Sequence, residues 1–323
     1  KIIYSQPTNQ SVKFTGKKIA LHFDEYIQIK NKLEISFFPE IKPTPKIIAK
    51  GKSIVIELLD DLKPNTTHII NFNNSIVDIN ESNPLENFQY VFSTGEIIDQ
   101  CQLSGGVFDL KSNLKTQGAV VGLFKNKLVE NFDSLIRNEP PDYFVFTNKN
   151  GQYHFSNLES GNYILYATKD LNISKNYEDG EPVSMPQEIT LKNSHKSDIS
   201  LFTENQFLKK DSLNFSYKKE EKDPIEVGSV NMNFKKEIYE TGKYIGEIML
   251  NDSSIFCFYI KSNIVRIDSL LTGVYSFRMF EDVNKNNTWD SGNIKNLTPP
   301  EAIKTFNEKI DVKKDWEIDF FIE

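Results

Sequence analysis

The residues of this chain best suited to chemistry form a loop of alternating oxygen-bearing side chains. They are Asp282, Asn284, Asn286, Thr288 and Asp290. In EF-hand-like sites, oxygens at alternate positions of a loop surround a calcium ion. Two positions depart from that pattern, because Asn287 stands where glycine is usual and Asn293 stands where a bidentate glutamate is usual. The loop predicts a weakly held structural calcium ion, and the alternative is a polar loop that caps its own backbone.

This loop ends a motif that occurs twice. The two copies span residues 158–180 and 270–292, and each matched residue recurs 112 positions later. Both copies open with Leu-x-x-Gly-x-Tyr, so Tyr163 corresponds to Tyr275. The offset is about the length of one small domain, which predicts two related domains in tandem. The loop of the first copy is a weaker calcium candidate, with oxygens at Asp170, Asn172, Ser174 and Glu178.

Composition favours a β-protein and excludes some functions. The chain has 323 residues, with 24 Phe and 13 Tyr, and aromatic side chains suit half-buried strands. Its net charge is −7, and proteins that bind nucleic acid backbones need a basic surface instead. No segment approaches the roughly 20 apolar residues of a membrane-spanning helix. We therefore expect no binding to nucleic acid and no transmembrane helix.

Short strand patterns separated by turns run through the chain, as in β-sandwiches. Ile19, Leu21 and Phe23 alternate with polar or small residues, which is typical of a half-buried strand. The Asn150–Gly151 pair between aromatic residues predicts a β-hairpin. Only residues 81–86 suggest a turn of helix, and the mixed charges of residues 208–224 indicate an exposed linker.

The first stretch resembles the SbsA-type bacterial Ig-like domain found in exported proteins of Bacteroidetes. The matching residues are Leu21-x-Phe23-Asp24-Glu25-Tyr26, Leu62-x-Pro64-Asn65-Thr66-Thr67, Asp78-x-Asn80-Glu81-x-Asn83-Pro84 and Phe92-Ser93-Thr94-Gly95. The resemblance implies an Ig-like sandwich over residues 1–96. It also implies an outer-membrane lipoprotein, periplasmic or surface-exposed, held at the membrane only by an N-terminal lipid anchor outside this sequence.

The second stretch resembles a carboxypeptidase-regulatory, or transthyretin-like, sandwich. The matching residues are Thr147-Asn148-x-Asn150-Gly151-x-Tyr153-x-Phe155 and Leu158-x-x-Gly161-x-Tyr163. The third stretch repeats the motif of the second at the 112-residue offset, and it is therefore similar to a degenerate copy of the same sandwich. The expected fold is all-β, with three tandem Ig-like or transthyretin-like sandwiches over residues 1–96, 97–206 and 207–323.

The common catalytic patterns are absent from the sequence. There is no Gly-x-Ser-x-Gly, His-Glu-x-x-His, phosphate-binding Gly-x-x-x-x-Gly-Lys or Cys-x-x-Cys pattern. The four histidines are scattered, and His22, His68 and His154 lie in strand patterns where an outward or hydrogen-bonded side chain is expected. We therefore predict no enzymatic activity, no catalytic residue and no cofactor other than a structural calcium ion.

Function must then come from surfaces, and two hypotheses lead. A third, an unrecognised hydrolase, rests only on the abundance of acidic residues. The first is a non-catalytic envelope lipoprotein that acts as a scaffold or accessory subunit of an outer-membrane protein complex. The second is a surface carbohydrate-binding or adhesive module, for which exposed aromatic side chains are needed. The chain has two tryptophans, Trp289 and Trp316, and both lie in patterns that predict burial. That expectation favours the first hypothesis.

Overall fold

The computed structural model describes residues 1–86, 88–170, 176–204, 226–251 and 253–322. The protein is all-β, with 50% strand and 5% helix, arranged in several sheets. This confirms the predicted fold class. No helix among these residues is both long and apolar enough to cross a membrane. The predicted linker at residues 208–224 lies outside the described residues.

The first stretch forms three sheets. Its strands are β1 Ile2–Gln6, β2 Lys18–Phe23, β3 Ile27–Ile29, β4 Ser36–Phe38, β5 Lys46–Lys50, β6 Ser53–Glu57, β7 Thr67–Asn71, β8 Ile76–Asp78 and β9 Gln89–Ser93. The sheets have the orders β1-β2-β6-β5, β4-β7-β9 and β3-β8. A short 3-10 helix, Lys32–Glu34, precedes β4.

The core of this stretch follows from the alternation seen in β2. Ile19, Leu21 and Phe23 are buried and share one hydrophobic cluster with Ile70 of β7 and Phe92 of β9. Two sheets therefore pack their apolar faces together, as the strand pattern predicted. The helical turn suggested at residues 81–86 is wrong. That segment has only turns and one isolated bridge, because the Asp78 carboxylate accepts the backbone N–H groups of Glu81 and Asn83.

The second stretch forms two sheets and one helix. Its strands are β10 Cys101–Asp109, β11 Val120–Lys125, β12 Tyr143–Phe146, β13 Gln152–Leu158, β14 Gly161–Thr168, β15 Gln187–Leu191, β16 Ser194–Lys196 and β17 Ile199–Leu201. One sheet has the order β13-β10-β16, with β17 also paired to β10, and the other has the order β12-β11-β14-β15. A 3-10 helix, Val129–Asn131, leads into helix α1, Phe132–Asn138.

Helix α1 was missed by sequence reasoning. Its buried residues Phe132, Leu135 and Ile136 follow i, i+3, i+4 spacing, but a seven-residue helix is too short to reach i+7. The Phe132 ring meets the fully buried Tyr166 of β14 edge-on, with 5.7 Å between ring centroids. The helix therefore covers the outer face of the sheet, which explains why β11 and β14 are buried on both faces.

The predicted hairpin at Asn150–Gly151 is wrong in its pairing. The local turn forms, with Gly151 at φ +66° and its N–H donating to the carbonyl of Asn148. The flanking strands separate, however, because β12 pairs with β11 while β13 pairs with β10. The Asn-Gly pair therefore connects the two sheets of a sandwich.

The third stretch also forms two sheets. Its strands are β18 Val227–Phe234, β19 Tyr244–Leu250, β20 Ser253–Tyr259, β21 Ile264–Leu271, β22 Gly273–Glu281, β23 Ile303–Val312 and β24 Glu317–Ile322, with helix α2 at Lys236–Tyr239. The sheets have the orders β21-β18-β24 and β20-β19-β22-β23. Buried residues of both sheets, including Met232, Phe277 and Phe320, form one core.

The second and third stretches have the same strand order. β10 pairs antiparallel with β13 and parallel with β16, as β18 does with β21 and β24. β14 lies between β11 and β15, as β22 lies between β19 and β23. Tyr163 and Tyr275 are the third residues of the corresponding strands, so the two tyrosines occupy equivalent places.

By their internal contacts the residues cluster in two compact units. The first unit comprises Lys1–Phe108, Lys115–Glu178 and Val183–Ser200, and the second comprises Asp109–Leu114, Asp179–Pro182 and Leu201–Glu323. Each sheet takes its strands from one of the three stretches described above. The domain boundaries at 96/97 and 206/207 stay predictions.

Candidate functional site

The predicted calcium loop, residues 282–292, directly follows β22. Its first residue, Asp282, is buried, and its carboxylate accepts the backbone N–H groups of Asn286 and Asn287, both at 3.1 Å. Asn287 adopts φ +65°, the left-handed conformation that asparagine tolerates. Asp282 therefore closes the loop onto its own backbone.

The other predicted ligands form hydrogen bonds with one another. The Asp290 carboxylate accepts the side-chain amides of Asn284 at 2.6 Å and Asn286 at 2.9 Å. The Asn286 side-chain oxygen in turn accepts the N–H and the hydroxyl of Thr288, both at 2.8 Å. The structure thus brings together all five residues that the sequence selected.

Glu301 completes the loop and was missed by sequence reasoning. Its buried carboxylate accepts the backbone N–H groups of Val283 at 2.7 Å and Asp290 at 3.1 Å. Its backbone carbonyl accepts the indole N–H of Trp289 at 2.9 Å. Burial raises the pKa of Glu301, although these backbone hydrogen bonds oppose the rise. No spacing rule points to Glu301, because it lies outside the loop, after the isolated bridge at Thr298.

The donor set of the loop fits a calcium ion in kind, since carboxylate and amide oxygens are the ligands of hard cations. Many of these oxygens accept hydrogen bonds within the loop. Across the described parts of the chain, no group of three or more His, Cys, Asp or Glu side chains is placed to hold a metal ion. The calcium ion stays a prediction. In the first copy of the loop, Asn172 and Ser174 lie outside the described residues.

The histidines do not converge on a site. His22 shares a hydrogen bond with Ser53 at 2.9 Å, and His154 and His195 are exposed. His68 departs from the expectation of an outward side chain, because it is buried in β7. Its ring stacks on Phe92 with 5.2 Å between centroids. Burial lowers the pKa of His68 to about 4, so the ring is neutral at pH 7.

The prediction that both tryptophans are buried is wrong for Trp316. Trp289 is half-buried against Glu301, but the Trp316 side chain is 59% exposed. The Lys313 ammonium lies 5.1 Å from the centroid of the Trp316 ring, as in a cation–π contact. Trp316 occupies the turn before β24, which places it outside the alternating pattern that buries Phe320 and Ile322.

Comparison with known families confirms that the N-terminal stretch is similar to a bacterial Ig-like domain. Residues 1–94 match the family model described as the bacterial Ig-like domain. The match covers the three sheets of the first stretch, and the remaining stretches lie beyond it. A comparison with curated proteins finds no match.

Solved structures give only distant similarities. The minor pilin GBS52 of Streptococcus agalactiae is similar at 11% identity and a TM-score of 0.25, over 69% of this chain and 94% of that one. The Bacillus anthracis TIE protein is similar at 10% identity and a TM-score of 0.22, over 100% of this chain and 58% of that one. A streptococcal ancillary pilin is similar at 10% identity and a TM-score of 0.21, over 83% and 80%. Scores this low carry no inference about function.

Replacing Asp282 by alanine separates the two accounts of the loop. In chelator we expect the second unit to lose about 2 kcal/mol of unfolding free energy, because two backbone N–H groups lose a charged acceptor. Both tryptophans lie in this unit, so urea unfolding followed by tryptophan fluorescence reports on it. The calcium prediction requires that Asp282→Ala lose more unfolding free energy in millimolar calcium than in chelator.

The matched control is Asp311→Ala, at an exposed aspartate of the same unit, which should change little. Equal losses in calcium and in chelator would contradict the calcium prediction. No loss in chelator would contradict the role of the Asp282 hydrogen bonds.

The buried His68 predicts a pH dependence of stability. Its pKa is about 4 in the folded protein, against an ordinary value of 6.5, so the unfolded chain binds more protons between these values. The stability of the folded state with neutral His68 is fully present above pH 6.5, and it is lost as the pH falls toward 4. Between pH 7 and pH 5 the first stretch should lose about 2 kcal/mol through this residue.

The measurement is hydrogen exchange of β7 along a urea titration at each pH. His68→Phe should remove most of this pH-dependent loss, while the same change at the exposed His195 should leave it in place. An unchanged pH dependence in His68→Phe would show that His68 is not its source.

Proposed function

We propose that the chain is a non-catalytic scaffold or accessory subunit of an outer-membrane protein complex in the bacterial cell envelope. One observation carries the proposal: an N-terminal segment that matches a bacterial Ig-like domain is followed by two sandwiches of identical strand order. Repeated modules of one fold supply length and surface, whereas a catalytic site requires one unique arrangement of groups. Fold alone does not decide function, so surfaces and partners must be tested.

The packing within the first unit supports a role as a rigid support. Phe38 of the first stretch lies against Tyr143 and Phe144 of the second, with ring centroids 5.6 and 5.2 Å apart. The side-chain amide of Asn157 donates to the carbonyl of Asp99 at 3.0 Å. A surface that is already ordered loses little conformational entropy when a partner binds. This unit suits the task of holding a partner in a fixed place.

The envelope location and the partner class belong to the same proposal. The Bacteroidetes resemblance of the first stretch implies an exported lipoprotein, whose anchor would lie outside this sequence. The net charge of −7 suits a protein partner better than nucleic acid. An outer-membrane protein is therefore the partner class that we propose.

A second candidate function is a carbohydrate-binding or adhesive module. The exposed indole of Trp316 favours it, since an aromatic face in solvent offers a platform for stacking. The other tryptophan, Trp289, is half-buried within its own loop and offers no second indole platform. We therefore rank the scaffold function first.

Affinity purification tests the scaffold proposal. The tagged full-length chain is isolated from detergent-solubilised envelopes of the bacterium that makes it, and its partners are quantified by mass spectrometry. We expect an outer-membrane protein in near-equimolar amount. An isotope-labelled tagged chain, added after solubilisation, controls for association that arises only in detergent. Recovery of the chain without a stable protein partner would contradict the scaffold function.

A further inference from the structure

A cavity of about 560 Å³ lies within the first unit, and the scaffold function does not use it. Its floor is the outward face of the sheet β13-β10-β16, and residues from β7, β9 and the turn after β12 line its other sides. Sites for small ligands usually occupy about 300–1,000 Å³. The volume is therefore sufficient for a ligand of two or three sugar rings or of similar size.

The floor combines an aromatic ring with polar neighbours. Ser104, Gly106 and Phe108 alternate along the outward face of β10, and the register places Gln152 and His154 of β13 beside them. The Phe108 ring lies over Gly106, because a Cβ atom built on Gly106 would come within 2.7 Å of that ring. Glycine at this position thus lets a half-buried ring lie across the strand and present an apolar surface to the cavity.

Carboxamide side chains dominate the walls. The six that line the cavity are Asn71, Asn73, Gln89, Asn148, Asn150 and Gln152. An amide both donates and accepts hydrogen bonds, so a cluster of amides fits a ligand that does the same. Such a cluster is poorly matched to a simple anion, which only accepts, or to a metal ion, which only binds acceptors.

Hydrogen bonds within the protein hold four of these amides in place, and one of the four is Asn148, whose side-chain oxygen accepts two backbone N–H groups. The side-chain oxygen of Asn71, a residue only 2% exposed, accepts the N–H of Asn73 at 3.0 Å. The Asn73 amide donates to the carbonyl of Glu34 at 2.6 Å, and the Gln89 oxygen accepts the hydroxyl of Ser156 at 3.0 Å. Each bond uses one end of the amide and fixes its orientation. These groups are therefore preorganised for binding.

The charged residues that line the cavity are two lysines and one aspartate. Lys115 and Lys196 line the cavity together with Asp198, whose carboxylate accepts the N–H of Gly106 at 2.7 Å. Lysine ammonium groups also donate to hydroxyl oxygens. These donors and the carboxamides together suit a ligand rich in hydroxyl groups.

We propose that this cavity binds an oligosaccharide. Sugar hydroxyls both donate and accept hydrogen bonds, which matches the six carboxamides, and the apolar C–H face of a sugar ring can rest on Phe108. The proposal is independent of the scaffold function, because it concerns a small-ligand site inside one unit. It also differs from the exposed Trp316 platform, which lies in the other unit.

The test is isothermal titration of the full-length chain with linear hexaoses of glucose, xylose, mannose and galactose. At least one of them should bind with a Kd of about 1 mM or tighter. The double variant Asn150→Ala/Gln152→Ala should weaken that binding about tenfold or more, since each lost hydrogen bond contributes about 1 kcal/mol. Both side chains are exposed, so the fold should persist, as circular dichroism will check.

The matched control is Gln102→Ala, an exposed glutamine on the same strand β10 but outside the cavity, which should bind like the wild type. Absence of binding to all four hexaoses would overturn the proposal, as would equal binding by the double variant. Binding of an extended Gly-Ser-Asn peptide without binding of any hexaose would make the cavity a peptide groove and would also overturn it. Each of these failures leaves the affinity-purification test of the scaffold function unaffected.

Discussion

One partly buried hydrogen bond from a buried tyrosine fixes the start of the central strand in each of the last two sandwiches. The Tyr163 hydroxyl donates to the carbonyl of Glu159 at 2.7 Å, and the Tyr275 hydroxyl donates to the carbonyl of Leu271 at 2.8 Å. Both bonds span four residues and close the turn that leads into β14 or β22. A one-residue shift in strand register would turn every side chain of the strand to the opposite face. The tyrosine hydrogen bond therefore helps to fix which residues enter the core.

The parts of the fold that sequence predicts are those set by local periodicity and by the repeat. Alternation predicts the burial of Ile19 and Leu21 because a strand alternates its faces whatever its partner. The repeat places Tyr163 and Tyr275 in equivalent strands because the same motif meets the same neighbours. The Asn150–Gly151 turn is predicted as a local shape, but the separation of its strands depends on β10 and β11, which lie far away in the chain.

The same contrast holds at the loop of residues 282–292. Its five alternating residues converge as expected, since their spacing alone places them around a tight turn. Glu301 enters from a later segment, and burial of its carboxylate depends on tertiary packing that no spacing reveals. Trp316 is exposed because it sits in a turn, where the alternation of β24 no longer governs burial. Tertiary contacts and strand ends therefore set the limits of sequence reasoning.

The same sandwich occurs twice in this chain, and in each copy one tyrosine hydrogen bond closes the turn before the central strand. Hydrogen exchange of β14 and β22 in Tyr163→Phe and Tyr275→Phe tests it most directly, with Tyr26→Phe, at a 58% exposed tyrosine, as the control. Each variant should lose about 1 kcal/mol of protection in its own strand, because a backbone carbonyl loses its hydrogen-bond donor. Loss of protection in only one of the two strands, or a loss equal to that of the control, would contradict the account.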